Sequence, residues 1–327
     1  MFNERHYVPI LKWKAGEQKA LENLALEDKK WLTPLIEIIP IQWDFVNDQP
    51  SKTVDDYLSK IGGKLKSCWN SEKPLFLDII DKLENLEDGQ HPLDYILSET
   101  SDNDINIIPT VSTDKDEEYI EVVSTFVHTN GVCFRLSDDD FTEDMEDLLY
   151  SMLDEVGVKP ENVDLLIDFK YIDPDTEKRN LITALSVINS IPKVNRWRTL
   201  TLSASSFPEN LSGISTNSTG SINRAEWKLW KELNNRKVKR MPTFSDYCIA
   251  HPELLEEIDP RIMNMSAQIR YTIDEEWLIY KGYGIKSKNK GGWSQQFKLA
   301  EKLVKNPNFY GRTFCSADYY IYNCSKE

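Results

Sequence analysis

The chain has 327 residues, with 39 Lys and Arg against 54 Asp and Glu, a formal net charge of −15 at pH 7, and 40% hydrophobic residues. This is the composition of an ordinary globular protein, which excludes disordered, collagen-like and low-complexity readings. No apolar run approaches the roughly 20 residues that a membrane helix needs. The opening MFNERHYVPILKWK lacks an apolar stretch followed by a cleavage site, and the five cysteines (Cys68, Cys133, Cys248, Cys315, Cys324) form no CxxC pair. A reduced, soluble, cytoplasmic protein is therefore expected.

Eight short apolar, β-branched runs follow one another along the chain: Tyr7–Trp13, Pro34–Ile39, Leu75–Ile80, Ile105–Val111, Val132–Leu136, Val163–Phe169, Thr199–Ser203 and Pro242–Tyr247. Several are apolar on both faces, as strands covered on both sides must be. Between them lie amphipathic stretches: Glu17–Asp28, Asp116–His128, and Phe141–Val156 behind the acidic cap Asp138-Asp139-Asp140. Carboxylates favour the positive end of a helix dipole, so such acidic runs read as helix starts. Strand starts about 26–44 residues apart match the size of a βα unit. Eight units in unbroken alternation predict an α/β fold, a (β/α)8 TIM-barrel-like domain over residues 1–262. A doubly wound open sheet is the other reading.

Beyond the eighth run the pattern changes. Ala267–Thr272 and Trp277–Tyr283 read as paired strands, Trp293–Lys305 as a helix, and Phe309–Cys324 as an aromatic tail in which Tyr319, Tyr320 and Tyr322 alternate like a half-buried strand. Residues 263–327 are expected to form a C-terminal α+β appendage, too small for more than a marginal core alone. Ser203–Ile222, rich in Ser, Asn and Gly, reads as a loop after the seventh strand, either a lid or partner-binding loop or a plain connector. Gly62-Gly63-Lys64 reads as a helix end, since it lacks the first part of a P-loop and follows no strand.

Charge is divided along the chain. Residues 1–221 hold 21 basic and 41 acidic side chains, and residues 222–327 hold 18 and 13, giving nets of −20 and +5. The basic runs Lys228–Arg240 and Lys281–Lys305 read as an exposed helix face and a Lys-rich loop, or as a docking surface for an acidic partner. The field of the acidic body argues against a nucleic-acid partner.

Period-two alternation singles out a few charges inside the strands. If the intervening aliphatics face outer helices, then Lys12, Glu37, Asp78, Arg135 and Asp168 point into the barrel near its C-terminal mouth, with Thr110, Ser203 and Asp246 completing a polar ring. Burying such ions without partners costs several kcal/mol each, so they must pair or bind something. One reading is a salt-bridged plug. The other is a site in which Glu37, Asp78 and Asp168 hold Mg or Mn while Lys12 and Arg135 clamp a phosphate or carboxylate. His6, His91, His128 and His251 fall away from late strand positions, and there is no GxSxG, Walker A, GxGxxG or HExxH pattern. Trp227 and Trp230, three apart on a basic helix, read as core packing rather than a base-stacking platform.

The opening Tyr7-Val8-Pro9-Ile10-Leu11-Lys12-Trp13-Lys14-Ala15-Gly16-Glu17, with Ala20-Leu21 beyond it, resembles the Beta-protein family of bacteria, prophages and phage satellites. Pro34-Leu35-Ile36-Glu37, Ile269-Arg270-Tyr271-Thr272 and Ser316-Ala317-Asp318-Tyr319-Tyr320-Ile321 are similar to it as well. The resemblance implies a barrel-like fold with a C-terminal extension, expected to be shortened here at Glu327, and a link to phage-defence or toxin-neutralising loci. It implies no catalytic residues; Lys12, Lys14 and Arg270 are motif positions, and Lys14, Ser203 and Arg270 are candidates for binding. The expectation is a non-catalytic interaction protein without a cofactor, its partner a toxin or phage protein encoded nearby. The alternative is a metal-assisted hydrolase of a phosphoester or nucleotide.

Overall fold

The computed structural model describes residues 2, 5–80, 83–236, 238–255 and 257–327, without the side chain of Thr129; Lys237, inside the basic run Lys228–Arg240, lies outside the described residues. The strands in chain order are β1 (Tyr7–Lys12), β2 (Leu35–Ile38), the two-residue β3 (Trp43–Asp44) and β4 (Gln49–Pro50), β5 (Leu75–Ile79), β6 (Ile107–Val111), β7 (Val132–Leu136), β8 (Val163–Tyr171), β9 (Thr199–Ser205), β10 (Ser218–Asn223), β11 (Thr243–Asp246), β12 (Ser266–Thr272) and β13 (Glu276–Gly284). The α-helices are α1 (Ala15–Asn23), α2 (Leu26–Lys29), α3 (Val54–Leu58), α4 (Ile61–Cys68), α5 (Pro92–Asp102), α6 (Glu117–Asn130), α7 (Met145–Val156), α8 (Glu177–Ser190), α9 (Ala225–Asn234), α10 (Gln295–Val304) and α11 (Ser316–Cys324).

Eight strands close into a ring in the order β1-β11-β9-β8-β7-β6-β5-β2, and each neighbouring pair is parallel. The fold is a (β/α)8 barrel, and its eight strands lie within or overlap the eight apolar runs. The barrel unit comprises residues 1–205 and 226–248. Local chemistry sets its helices. Asp116 caps α6 by accepting from the Tyr119 N–H at 3.0 Å, and Gly131 ends that helix at φ 77°. A Cβ on Gly131 would stand 2.2 Å from the Asn162 carbonyl oxygen, so glycine is required there for space as well as for dihedral angle. Helix α7 buries Met145, Leu149 and Met152 of the stripe its spacing predicts and leaves Leu148 half-buried, with Leu153 and Val156 buried beyond them.

One helical expectation is corrected. The stretch read as one helix is broken at Leu24, whose extended backbone separates α1 from α2. Gly62 and Gly63 do sit at a helix end, in the first turn of α4. There the Gly62 N–H donates to Glu99 Oε2 at 3.2 Å, and a Cβ would meet that oxygen at 2.4 Å.

The second unit comprises residues 206–225 and 249–327, which differs from the expected boundary after 262. Its sheet runs β10-β13-β12, antiparallel throughout, so the segment read as a loop supplies an edge strand. Alternate residues of β10 are half-buried, but Ser, Thr and Gly carry too little hydrophobic contrast to show that period in the sequence. Ala267, Tyr271, Leu278, Tyr280, Leu299 and Leu303 form one core of this unit; Phe207, Leu211, Trp277 and Ile279 form another. Tyr319, Tyr320 and Tyr322 lie on a helix, α11, not on a strand. Asp318 in its first turn is buried and accepts a 2.6 Å hydrogen bond from the Tyr271 hydroxyl.

Candidate functional site

Barrel register decides which side chains meet. Lys12 is level with Glu37 across β1/β2, Glu37 with Asp78 across β2/β5, and Asp168 with Ser203 across β8/β9. Two residues earlier in these and neighbouring strands, Ile10, Leu35, Phe76, Ile108, Cys133 and Leu166 form a buried apolar cluster with Val8 and Tyr247. The charged layer is the next one toward the C-terminal ends of the strands. Its members Lys12, Glu37, Asp78, Arg135 and Asp168 are all buried, as the alternation predicted.

Arg135 is the hub. Its Nε donates to Asp168 Oδ2 at 2.9 Å, and Nη1 donates to Asp78 Oδ2 at 2.8 Å. Nη2 contacts Glu37 Oε1 at 2.9 Å, Asp168 Oδ2 at 2.7 Å and the Tyr247 hydroxyl at 2.7 Å. That hydroxyl donates to Asp168 Oδ2 at 2.6 Å. Lys12 Nζ lies 3.4 Å from Glu37 Oε2 and 5.2 Å from the centre of the Tyr247 ring. Lys115 Nζ reaches Asp78 Oδ1 at 3.0 Å as an ion pair, without hydrogen-bond alignment, while donating to the Ile79 carbonyl at 2.6 Å. The remaining Asp168 oxygen accepts from the Lys170 N–H at 3.0 Å. Lys170 sits at φ 48°, a left-handed conformation that costs a side-chain-bearing residue about 1–3 kcal/mol.

Among the described residues, three cations (Lys12, Lys115, Arg135) thus meet three carboxylates (Glu37, Asp78, Asp168), a formally neutral set. Burial alone would raise the pKa of Asp78, but the charges of Lys115 and Arg135 outweigh it and hold the carboxyl below its ordinary range. Burial likewise disfavours the Arg135 cation, yet the charges of Asp168, Glu37 and Asp78 hold it more firmly protonated than usual. Burial lowers the Lys12 pKa despite the opposing charge of Glu37. It raises that of Tyr247, which keeps the phenol protonated as a donor.

The other sequence candidates separate from this cluster. Asp246 is not in the ring: it accepts from the Tyr7 hydroxyl and, at 2.9 Å, from the Cys248 N–H. Parity explains this, because Asp246 is level with Pro9 while the inward residues of β1 are Val8, Ile10 and Lys12. Tyr247 takes the inward place. Neither Tyr247 nor Lys115 was among the sequence candidates; the Ser245–Tyr247 alternation marks the first, whereas the second comes from a loop with no period to read. Ser203 is in the ring and completely buried, and its hydroxyl, like that of Ser245, has no hydrogen-bond partner among the described residues; Thr110 is completely buried as well. Lys14 is exposed at the start of α1. Arg270, in the second unit, stacks 4.6 Å from the Phe207 ring centre and donates to the Ile249 carbonyl at 2.7 Å, which is a packing role. Trp227 and Trp230 stack on each other at 5.4 Å and meet Phe244 edge-on, as core packing predicts.

Of the two readings of the mouth, this geometry provides the salt-bridged plug and not the alternative, a divalent-cation site at Glu37, Asp78 and Asp168. Glu37, Asp78 and Asp168 each spend an oxygen on Arg135 rather than converging on a common point, and among the described residues no group of three His, Cys, Asp or Glu is arranged to hold a metal ion. No helix of the described residues is long and apolar enough to cross a membrane.

Fold and site together define a (β/α)8-barrel protein whose mouth is filled by a neutral, hydrogen-bonded ion cluster. The Beta protein family model matches residues 7–327, and the chain belongs to that family. Among solved structures, the chain is similar to triosephosphate isomerase from Bartonella henselae, at 10% identity and a TM-score of 0.34, over 74% of this chain and 91% of that one. So distant a likeness adds nothing to the fold that the strand order already defines. No curated protein matches the sequence significantly.

Proposed function

We propose that the protein works by binding a macromolecular partner, not by catalysis, and that the partner is a toxin or a phage factor encoded near it, as its family resemblance implies. The observation that carries this reading is the Arg135 hub. One guanidinium engages all three mouth carboxylates, so the groups that would perform acid–base or metal chemistry are held in ion pairs. The barrel then serves as a rigid scaffold. The second unit offers the kind of side chains that dominate binding surfaces: Phe314, Tyr319 and Tyr320 are 64%, 58% and 71% exposed. The same reading puts the protein in the cytoplasm, in keeping with free thiols at Cys68, Cys133, Cys248, Cys315 and Cys324.

Co-expression with the neighbouring gene product tests the proposal. The expected result is a stable complex whose recovery falls as salt rises, because charged surfaces contribute to encounter. Tyr319→Ser combined with Tyr320→Ser should lose the complex while keeping the unfolding midpoint. Recovery of free protein alone at every ionic strength overturns it.

A further inference from the structure

A groove of about 790 Å³ lies at the C-terminal ends of β1 and β2, lined by the β1–α1 turn, the segment after β2, and helices α3 and α4. That volume falls within the range of small-ligand sites, roughly 300–1,000 Å³. Its charge is one-sided. Lys14, Lys52, Lys60 and Lys64 line it and no carboxylate does, in a chain that carries −15 overall. None of the four lysines is in an ion pair among the described residues. Four like charges around one cavity repel each other, and an anion placed between them relieves that repulsion.

The walls say more about the ligand. Trp13, Ile39 and Ile61 provide an apolar floor beneath the lysines, and Tyr57 is fixed there by donating to the Ile39 carbonyl at 2.9 Å. Ala15, the first residue of α1, also lines the groove, and no side chain caps that helix end. Glu17 in that first turn holds its own N–H and lies near Lys14, which leaves the N–H groups of Ala15 and Gly16 to an anion. A ligand with clustered negative charge at one end and a flat, weakly polar body at the other matches these surfaces. Lysine ammonium groups are suited to phosphate as mobile point charges.

We infer that this groove binds a nucleoside polyphosphate, with its phosphates among Lys14, Lys52, Lys60 and Lys64 and its base against the apolar wall. This site is separate from the mouth cluster and does not depend on the proposed partner. Gly63 supplies a steric probe. It lines the groove within α4, and a Cβ there meets nothing within 4 Å. Gly63→Leu would fill the groove while favouring the helix, leaving all four lysines in place.

Calorimetric titration of the full chain with ATP, inorganic tripolyphosphate and a short single-stranded RNA tests the inference. ATP should bind more tightly than tripolyphosphate. Lys14→Ala and Lys64→Ala should each weaken ATP by about tenfold or more, the order expected for a hydrogen bond to a charged group. Gly63→Leu should abolish binding with the unfolding midpoint unchanged or raised. Equal affinity for ATP and tripolyphosphate would remove the base from the argument and overturn the nucleotide assignment. Binding of RNA without ATP, binding of neither, or ATP binding indifferent to Gly63→Leu would overturn it too.

Discussion

Arg135→Met is the most informative single substitution. Methionine keeps much of the aliphatic stem and removes the guanidinium, with its five polar contacts at 2.7–2.9 Å. Among the described residues, Glu37, Asp78 and Asp168 would then face only the cations Lys12 and Lys115, a formal −1 inside the barrel. Removing one partner from a buried ion pair costs about 3–5 kcal/mol, against a total stability of about 5–15 kcal/mol. Guanidinium unfolding followed by tryptophan fluorescence should show a loss of that order at pH 7. The pH dependence has a definite sign. In the wild type, Asp78 has a depressed pKa, so its stabilising contribution is present above the ordinary carboxylate value of about 3.9 and is lost only as pH falls through the lower folded value. In the variant Asp78 loses the Arg135 charge that helps hold its pKa down, so that pKa rises, and protonation relieves the unpaired charge at higher pH. The stability gap between the two proteins should narrow as pH falls from 7 toward 4. The pair Arg135→Met with Asp168→Asn restores neutrality, and it should be more stable than the sum of the single changes predicts, by about 1–3 kcal/mol. A single-variant loss below about 1 kcal/mol, or a gap independent of pH, would refute the hub as described.

Three further substitutions and a titration probe contacts outside the mouth cluster, at Gly131, His6 and Tyr7. Gly131→Ala forces a Cβ into the Asn162 carbonyl at φ 77° and ψ −161°, so a loss of about 2–4 kcal/mol is expected in urea unfolding; an unchanged midpoint would mean the turn relaxes freely. His6, stacked on Phe2 at 3.8 Å, has its pKa lowered to about 4, chiefly by burial, with the Lys73 charge a smaller contribution. Because the unfolded chain takes up that proton first, stability should fall as pH drops from about 6.5 to about 4, by about 1–2 kcal/mol after discounting the ring's partial exposure; His6→Phe should flatten that slope in denaturation series across this range. Tyr7→Phe strips the hydroxyl donated to Asp246 and should cost about 1–3 kcal/mol by chemical denaturation, whereas no loss would show that the Asp246 carboxylate is satisfied without it.

The barrel was legible because its strands are buried on both faces and stand out as apolar runs between amphipathic helices. Glu37, Asp78 and Asp168 were legible as lone ions among aliphatics, each at an inward position late in its strand. Asp246 was misplaced because a short strand, Thr243–Asp246, leaves parity poorly fixed from sequence. Lys115 was invisible because it reaches Asp78 from a loop, where no periodicity links residue to neighbour. The edge strand β10 was hidden for another reason: its partner β13 lies more than 50 residues downstream, and small polar residues give it no pattern of their own.

The charge balance of the mouth bears directly on where function resides. Electrostatic steering needs an uncompensated field, and three cations against three carboxylates leave little beyond a few ångströms. The groove beside β1 and β2 has the opposite character, with four lysines and no acid on its walls. The two features share a strand, since Lys12 belongs to the cluster and Trp13 and Lys14, the next residues, belong to the groove. One short motif therefore both closes the barrel and presents charge to solvent. Substitutions that preserve neutrality inside should leave the groove's affinity unchanged, whereas substitutions that unbalance the interior should disturb both, because the backbone of Lys14 is held by its N–H donation to the Lys12 carbonyl at 2.6 Å.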